Sequence, residues 1–195
     1  MIIAPFTVAV DTREQLPFPF QDLRIDRKKA FVLTQRRTLS TGDYSIVGFE
    51  DKICVERKSL EDLYQTLGNG RERFIKELER MQDMEYSAVV VEASLGQVKE
   101  PSKENPLWFS QMNPDSVLGT IIAFAGQFHK TRWKFAGNRT NAEKITFKLL
   151  LQYYHAVKNK TESFDPRQAF GTSAEDSGIP ESSGRVPSVG VAIEG

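Results

Sequence analysis

Val55-Glu56-Arg57-Lys58-Ser59-Leu60-Glu61-Asp62-Leu63-Tyr64-Gln65-Thr66-Leu67 changes its period in the middle. Up to Lys58 it reads as the end of a strand. Successive side chains there point to opposite faces, so Glu56 and Lys58 share one face and Arg57 takes the other. From Ser59 onward Leu60, Leu63, Tyr64 and Leu67 fall at i, i+3, i+4 and i+7, one face of a helix that ends at Gly68-Asn69-Gly70. A strand bearing an acid and a base on one face runs straight into a helix, the junction expected of an α/β fold.

Upstream, apolar β-rich runs at 7–10, 30–33, 44–47 and 53–55 are separated by turn-forming or charged residues and read as strands of a meander. Met1 to Val10 lacks a basic segment and runs into Asp11-Thr12-Arg13, which reads as a strand rather than a signal peptide. Downstream, Phe74, Leu78 and Met81 mark a second helix, and 86–93, rich in Val, reads as a central strand. Residues 96–113 lack periodicity and contain Pro101 and Pro106, so they read as a loop with Trp108 and Phe109 folding back on the body. Asn113 as N-cap and Pro114 at the first helical position open a helix whose Val117, Leu118, Ile121, Ile122, Ala125 and Phe128 face the core. A short strand follows at 132–136. Thr140 and Glu143, spaced as a capping box, then open a last helix through Ile145, Leu149 and Tyr153 to Val157. The expected fold is an α/β domain over 1–160, a mixed sheet flanked by helices, followed by an acidic tail over 161–195. That tail is too poor in apolar residues to repay its ordering entropy, so disorder is expected there.

The 195 residues suit one domain plus some surplus, and 39% hydrophobic residues with 13 Phe supply its core. No apolar run approaches the roughly 20 residues of a membrane helix. An intracellular protein is expected, cytoplasmic in a prokaryotic or viral setting and nuclear in a eukaryotic one. One Cys and two His exclude a disulfide within the chain and a multi-Cys zinc site, so any metal chemistry must rest on carboxylates. The net charge of zero hides an asymmetry: the tail carries six acids against two bases, leaving a mildly basic body with clusters such as Arg71, Arg73, Lys76 and Arg80.

If the strands at 44–47 and 53–57 form a hairpin, Asp43 of Gly42-Asp43-Tyr44 comes close to Glu56 and Lys58. Two carboxylates and a lysine then meet at one sheet end. Hard carboxylate oxygens hold Mg²⁺, which polarises phosphate and lowers the pKa of a bound water, and a lysine beside that water orients hydroxide or stabilises developing charge. Asp11, ending the first strand, is a further possible ligand. Each residue also has an ordinary reading: Gly42-Asp43 and Asp11 as turn formers, Glu56 with Lys58 as an exposed pair, Arg57 as a surface cation, and Asp62 as the partner of a Ser59 helix cap. Cys54 reads as a packed thiol. His129 and His155 read as ordinary helix-end or surface residues.

Taken together, Asp11-x-Arg13-Glu14, Gly42-Asp43-Tyr44, Val55-Glu56-Arg57-Lys58-x-x-x-Asp62-Leu63 and Asn69-Gly70-Arg71 closely resemble the nuclease domain of the XPF and Mus family of structure-specific DNA endonucleases. The resemblance spans Thr7 to Val157. It implies a restriction-endonuclease-like core, divalent-metal cleavage of DNA near branches, flaps or forks with Mg²⁺ or Mn²⁺, and a homodimer or heterodimer. On it, Asp43 and Glu56 are metal ligands with Asp11 as a further one. Lys58 is the water-activating base or stabiliser, and Arg57 and Asp62 belong to the catalytic motif. Arg13, Arg71 and Arg73 are the DNA-binding candidates, with Glu14 in a block lining the same site. The tandem helix-hairpin-helix modules common after this domain are not complete here, and Pro187 to Ala192 only faintly echoes one. Two other readings are a non-catalytic DNA-binding or scaffold subunit and a sequence-specific nuclease of the same fold.

The composition of the tail yields a first expectation. Deletion of Phe164 to Gly195 leaves the melting temperature unchanged, and a large fall in a thermal unfolding scan would show that the tail packs on the domain.

Overall fold

The protein is described by a computed structural model covering residues 1–100 and 112–162. The tail beyond 162, and Trp108 and Phe109 of the expected loop, lie outside the described residues. The elements in chain order are β1 (Ile2–Asp11), β2 (Arg24–Ile25), β3 (Lys28–Arg37), β4 (Tyr44–Ile46), β5 (Ile53–Lys58), α1 (Leu60–Leu67), α2 (Arg71–Met81), β6 (Tyr86–Val91), α3 (Leu95–Lys99), α4 (Pro114–Gln127), β7 (Thr131–Phe135) and α5 (Arg139–Glu162). The strands make one seven-stranded mixed sheet in the order β2-β3-β1-β4-β5-β6-β7.

The period-2 pattern of the strands splits the core into two layers. Val8 and Val10 of β1, Ile53 and Val55 of β5, and Ala88 and Val90 of β6 pack against Phe147, Leu150 and Tyr153 of α5. On the opposite face Cys54, Val89 and Val91 meet Leu63, Leu78, Val117 and Phe124 of α1, α2 and α4. Cys54 is a fully buried free thiol, as its alternation in the strand implies. Among the described residues no helix is long and apolar enough to cross a membrane.

The opening strands are not a meander. β3 runs parallel to β1, and β4 lies antiparallel between β1 and β5, which puts β1 inside the sheet. The reversal into β3 is a two-residue turn at Asp26 and Arg27, both at positive φ (48° and 66°), the geometry that matches strand twist in a tight hairpin. The capping box expected at Thr140 and Glu143 is replaced by a cap two residues earlier. Asn138 Oδ1 accepts the Asn141 N–H at 2.8 Å, while Glu143 Oε1 accepts the N–H of Gln21 at 2.9 Å and ties the β1–β2 connection to α5. Across the start of the expected loop, Ser94 and Gln97 form a capping box that opens the short α3 over residues read as loop. Ser59 caps α1 and Asn113 with Pro114 starts α4, as the sequence implies, but Ile122 and Ala125, expected to face the core, are exposed, and the buried stripe of α4 is Val117, Thr120, Ile121 and Phe124.

Gly42 sits at a tight crossing of the turn over β5. It sits at φ +74°, and a Cβ there would lie 3.0 Å from Cys54 Cβ and 3.3 Å from the Val55 carbonyl oxygen. Gly48, at φ +89°, faces open space. Gly48→Ala is therefore expected to cost about 1 kcal/mol from backbone conformation alone, and Gly42→Ala roughly 1–3 kcal/mol more because β5 must move. Urea denaturation of the two variants checks this, and equal losses would show that β5 yields freely.

Candidate active site

Asp43 is held by the backbone on three sides. Its carbonyl oxygen accepts the Asp11 N–H at 2.8 Å, its N–H donates to the Val55 carbonyl at 3.0 Å, and its Oδ2 accepts the Arg57 N–H at 2.8 Å. The end of β1, the start of β4 and the end of β5 thus meet at one residue. Burial, and then the charge of Glu56, push the Asp43 carboxyl well above the ordinary carboxylate range, against the pull of the Arg57 N–H and of Lys58.

Glu56 and Lys58 project from β5 to the α2 side, as the alternation requires. Glu56 is 4% exposed, and its Oε1 accepts a hydrogen bond from the Lys58 ammonium. Burial raises the Glu56 carboxyl, Lys58 pulls it down, nearby Glu77 pushes it up again, and the net shift is upward. For Lys58 burial alone would favour the neutral amine, but Glu56 and Glu77 outweigh it, and the group is held as an ammonium. That ammonium lies 5.1 Å over the ring of Phe74 on α2, which closes its other side.

Arg57 turns to the α5 face. Its Nε donates to Glu92 Oε1 at 2.6 Å and its guanidinium reaches Glu14 Oε2 at 3.5 Å, while Arg139 donates to the same Glu92 oxygen at 2.8 Å. Both guanidinium groups flank Phe18, at 5.8 and 5.0 Å, and Phe18 stacks on Tyr44 at 5.1 Å. Arg139 also donates to the Leu16 and Pro17 carbonyls, which pins the segment after β1 as a wall of the site.

Asp43, Glu56, Arg57, Lys58 and Asp62 all line one open depression of about 640 Å³, with Glu14, Glu92 and Arg139. Asp62 does double duty there. It is bonded to Ser59 through its own N–H (3.0 Å) and through Oδ2, which accepts the Ser59 hydroxyl at 2.8 Å. Asp11 rims a neighbouring hollow, and its carboxylate already accepts the Arg13 N–H, Nε and guanidinium NH2 and the Leu39 N–H at 2.7–2.9 Å. Burial would raise Asp11, but these hydrogen bonds outweigh it and hold the carboxyl below its usual range. Such a carboxylate has little capacity left for a metal. Arg13 bridges the two hollows, and Arg73 lines the second. Arg71 points elsewhere, donating to Thr120 Oγ1 at 3.2 Å and lying 5.1 Å over Phe124. Glu77, Glu92 and Arg139 are the residues that sequence reading missed. Glu92 had one signal, its place just past the C-terminal end of the Val-rich β6, where α/β sheets gather their functional groups.

Among the described residues no group of three or more His, Cys, Asp or Glu is arranged to hold a metal ion. The pair Asp43 and Glu56 nevertheless fits a hard divalent cation. Glu56 is buried and Asp43 half-buried, both are oxygen donors whose negative charges oppose each other, and Mg²⁺ is commonly held by one or two carboxylates with water and phosphate completing its shell.

The sheet order, with Glu56 and Lys58 at the end of β5 and Asp43 beside them just before β4, is that of a mixed-sheet α/β domain. The ERCC4 domain family matches residues 10–149, and the chain belongs to that family of XPF-type nuclease domains. XPF from Aeropyrum pernix shares the fold, with a TM-score of 0.57 at 19% identity over 80% of this chain and 69% of that one. The comparison with curated proteins found no match. The family resemblance and the restriction-endonuclease-like class read from the sequence are thereby borne out. Nucleases with this domain are generally divalent-metal dependent.

The raised carboxyls fix a pH dependence. A folded state that holds protons the unfolded chain releases is stabilised at low pH and loses that stability as pH rises from the unfolded carboxylate range through the raised folded values. In EDTA the protein is therefore expected to melt lower at about pH 9 than at about pH 6, and Asp43→Asn is expected to flatten the difference. Thermal unfolding at both pH values checks it, and a variant that keeps the full difference would remove Asp43 as its source.

Proposed function

We propose that the protein is a divalent-metal-dependent DNA endonuclease that hydrolyses phosphodiester bonds at branched, flap or fork structures, in repair or recombination. One observation carries this reading: the two opposed carboxylates of Asp43 and Glu56 lie beside the Lys58 ammonium on the floor of an open depression. Asp43 and Glu56 are the residues that would hold Mg²⁺ or Mn²⁺, with Asp11 committed to Arg13 and Leu39. When bound, the metal supplies Lewis acidity toward the phosphoryl oxygen and a water of lowered pKa.

The chain's own residues do the rest. Lys58, kept charged by its two glutamates, acts as a fixed cation toward the charge that develops on phosphorus-bound oxygen, which favours the stabiliser role over the base role. Arg57 orients the strand end that carries Glu56 and Lys58, because its side chain is locked to Glu92 and Glu14 while its N–H fixes Asp43. Arg13 and Arg73, exposed around the carboxylates, supply phosphate contacts and with them a salt-sensitive affinity. Backbone contacts carry no base sequence, so selection rests on how readily the DNA bends or splays. A second nuclease subunit, identical or related, completes the proposed partners. The outer face of α4, with Ile122 65% exposed, offers apolar surface for one.

Asp43→Asn and Glu56→Gln are each expected to lower cleavage of fork and flap DNA in Mg²⁺ or Mn²⁺ by roughly a hundredfold or more, with the circular dichroism spectrum unchanged. Ca²⁺ is expected to support binding without efficient cutting. Full turnover in excess EDTA, or activity retained by either variant, would sink this assignment. Cutting that tracks a fixed base motif on unbroken duplex would transfer the protein to the sequence-specific reading.

A further inference from the structure

We propose that a second groove, between the end of α1 and the start of α2, is a subsite for one unpaired nucleotide of the cleaved strand, adjacent to the scissile phosphate. The inference rests on the nuclease reading above and adds to it a place for the splayed strand. The groove has a volume of about 640 Å³ and is lined by Lys58, Gln65, Thr66, Asn69 and Arg73 among others. It falls within the roughly 300–1,000 Å³ typical of ligand clefts. Lys58 and Asp62 line both this groove and the catalytic depression, so the two are continuous, and a strand crossing the carboxylates has a path outward over α1 and α2.

The chemistry of the lining differs from that of the catalytic floor. Two carboxamides, a hydroxyl and a guanidinium stand with a single carboxylate, Asp62, in place of the crowded carboxylates. Gln65 donates its amide N–H to Glu61 at 3.2 Å, which leaves its carbonyl side for a ligand. Asn69 and Arg73 make no side-chain hydrogen bond or ion pair within the described residues, whereas neighbouring Arg71 is engaged by Thr120 and Phe124. Arg73 also borders the hollow shared by Asp43 and Glu56, so its guanidinium stands between the reacting centre and the groove. The corner that presents these groups is tight: a Cβ at Gly70 would lie 3.1 Å from Thr66 Cα.

An unpaired guanidinium offers forked donors to a phosphate, and carboxamides pair with base edges. Bases stacked in a duplex cannot enter a recessed groove, while a splayed base can. The subsite therefore selects a strand that has already left the helix, as at a fork or flap.

The test uses Glu56→Gln protein, which binds without cutting, and fork DNA carrying a single neutral methylphosphonate at each position around the mapped cut. One position beside the cut is expected to weaken binding by about tenfold. That penalty vanishes in the Arg73→Ala, Glu56→Gln double variant and returns in part with Arg73→Lys. An abasic site at the same nucleotide is expected to cost affinity in the parent but not in a variant with Gln65→Ala and Asn69→Ala. An unchanged methylphosphonate profile on loss of Arg73, or an equal weakening at every position, overturns the subsite and leaves the nuclease reading intact. Failure of the Glu56→Gln protein to bind DNA at all overturns both.

Discussion

Asp43 and Glu56 are held in one crowded corner by backbone that gives neither room to retreat. The Asp11, Arg57 and Val55 backbone groups fix Asp43, and the pairing of β5 with β6 fixes Glu56. Burying two like charges together costs stability, and protonation of one or both is the cheapest relief in the absence of a cation. The geometry therefore stores a demand for positive charge at one point. Lys58 meets part of that demand and leaves the rest to be met by a ligand. Gly42 belongs to the same constraint, because only a residue without a Cβ lets the turn press Asp43 so close to β5.

Around this corner two ionic systems leave β5 on opposite faces and meet at the rim of one depression. On the α5 face, Arg57, Glu92, Glu14 and Arg139 close around Phe18 with side chains that are largely buried. On the α2 face Lys58, Glu56 and Glu77 pack beside Phe74. The adjacent residues of one strand, 56 to 58, serve both systems because the period of a strand sends them to opposite sides. Deleting a partner from the first system would leave a buried charge unpaired, which is why Arg57 counts as a positioning group although it also lines the depression.

Much of this was legible because it is local. The change of period at Ser59, the Asn113-Pro114 start of α4 and the alternation of Cys54, Glu56 and Lys58 depend on neighbours in sequence. What failed depends on distant partners or on polarity. The parallel pairing of β1 with β3 has no local signal, and the outer half of β3, Thr34 to Arg37, is polar and exposed, so hydrophobic pattern stops short of its end. Two possible caps stand two residues apart at Asn138 and Thr140, and the choice falls to Asn138 because Glu143 is claimed by Gln21. Ser94-x-x-Gln97 could have been read as a cap but opens a helix of only five residues. The link from Arg57 through Glu92 to Arg139 joins three elements and cannot be seen in any spacing.

Asp11 serves the site through its own hydrogen bonds. It ends a central strand beside Asp43, as a metal-binding acid would, yet four donors from Arg13 and Leu39 saturate it. That commitment has a use. It fixes the Arg13 guanidinium at the lip of the depression, with its side chain 67% exposed, and it holds the chain after β3 against the end of β1. One carboxylate low in pKa and two high ones then stand within a few residues of the same sheet end. The low one is satisfied by protein and builds the wall. The high ones each accept a single hydrogen bond, Asp43 from the Arg57 N–H and Glu56 from Lys58, and carboxylates with lone pairs left over beside an open depression are where a cation and a phosphate gain most by entering.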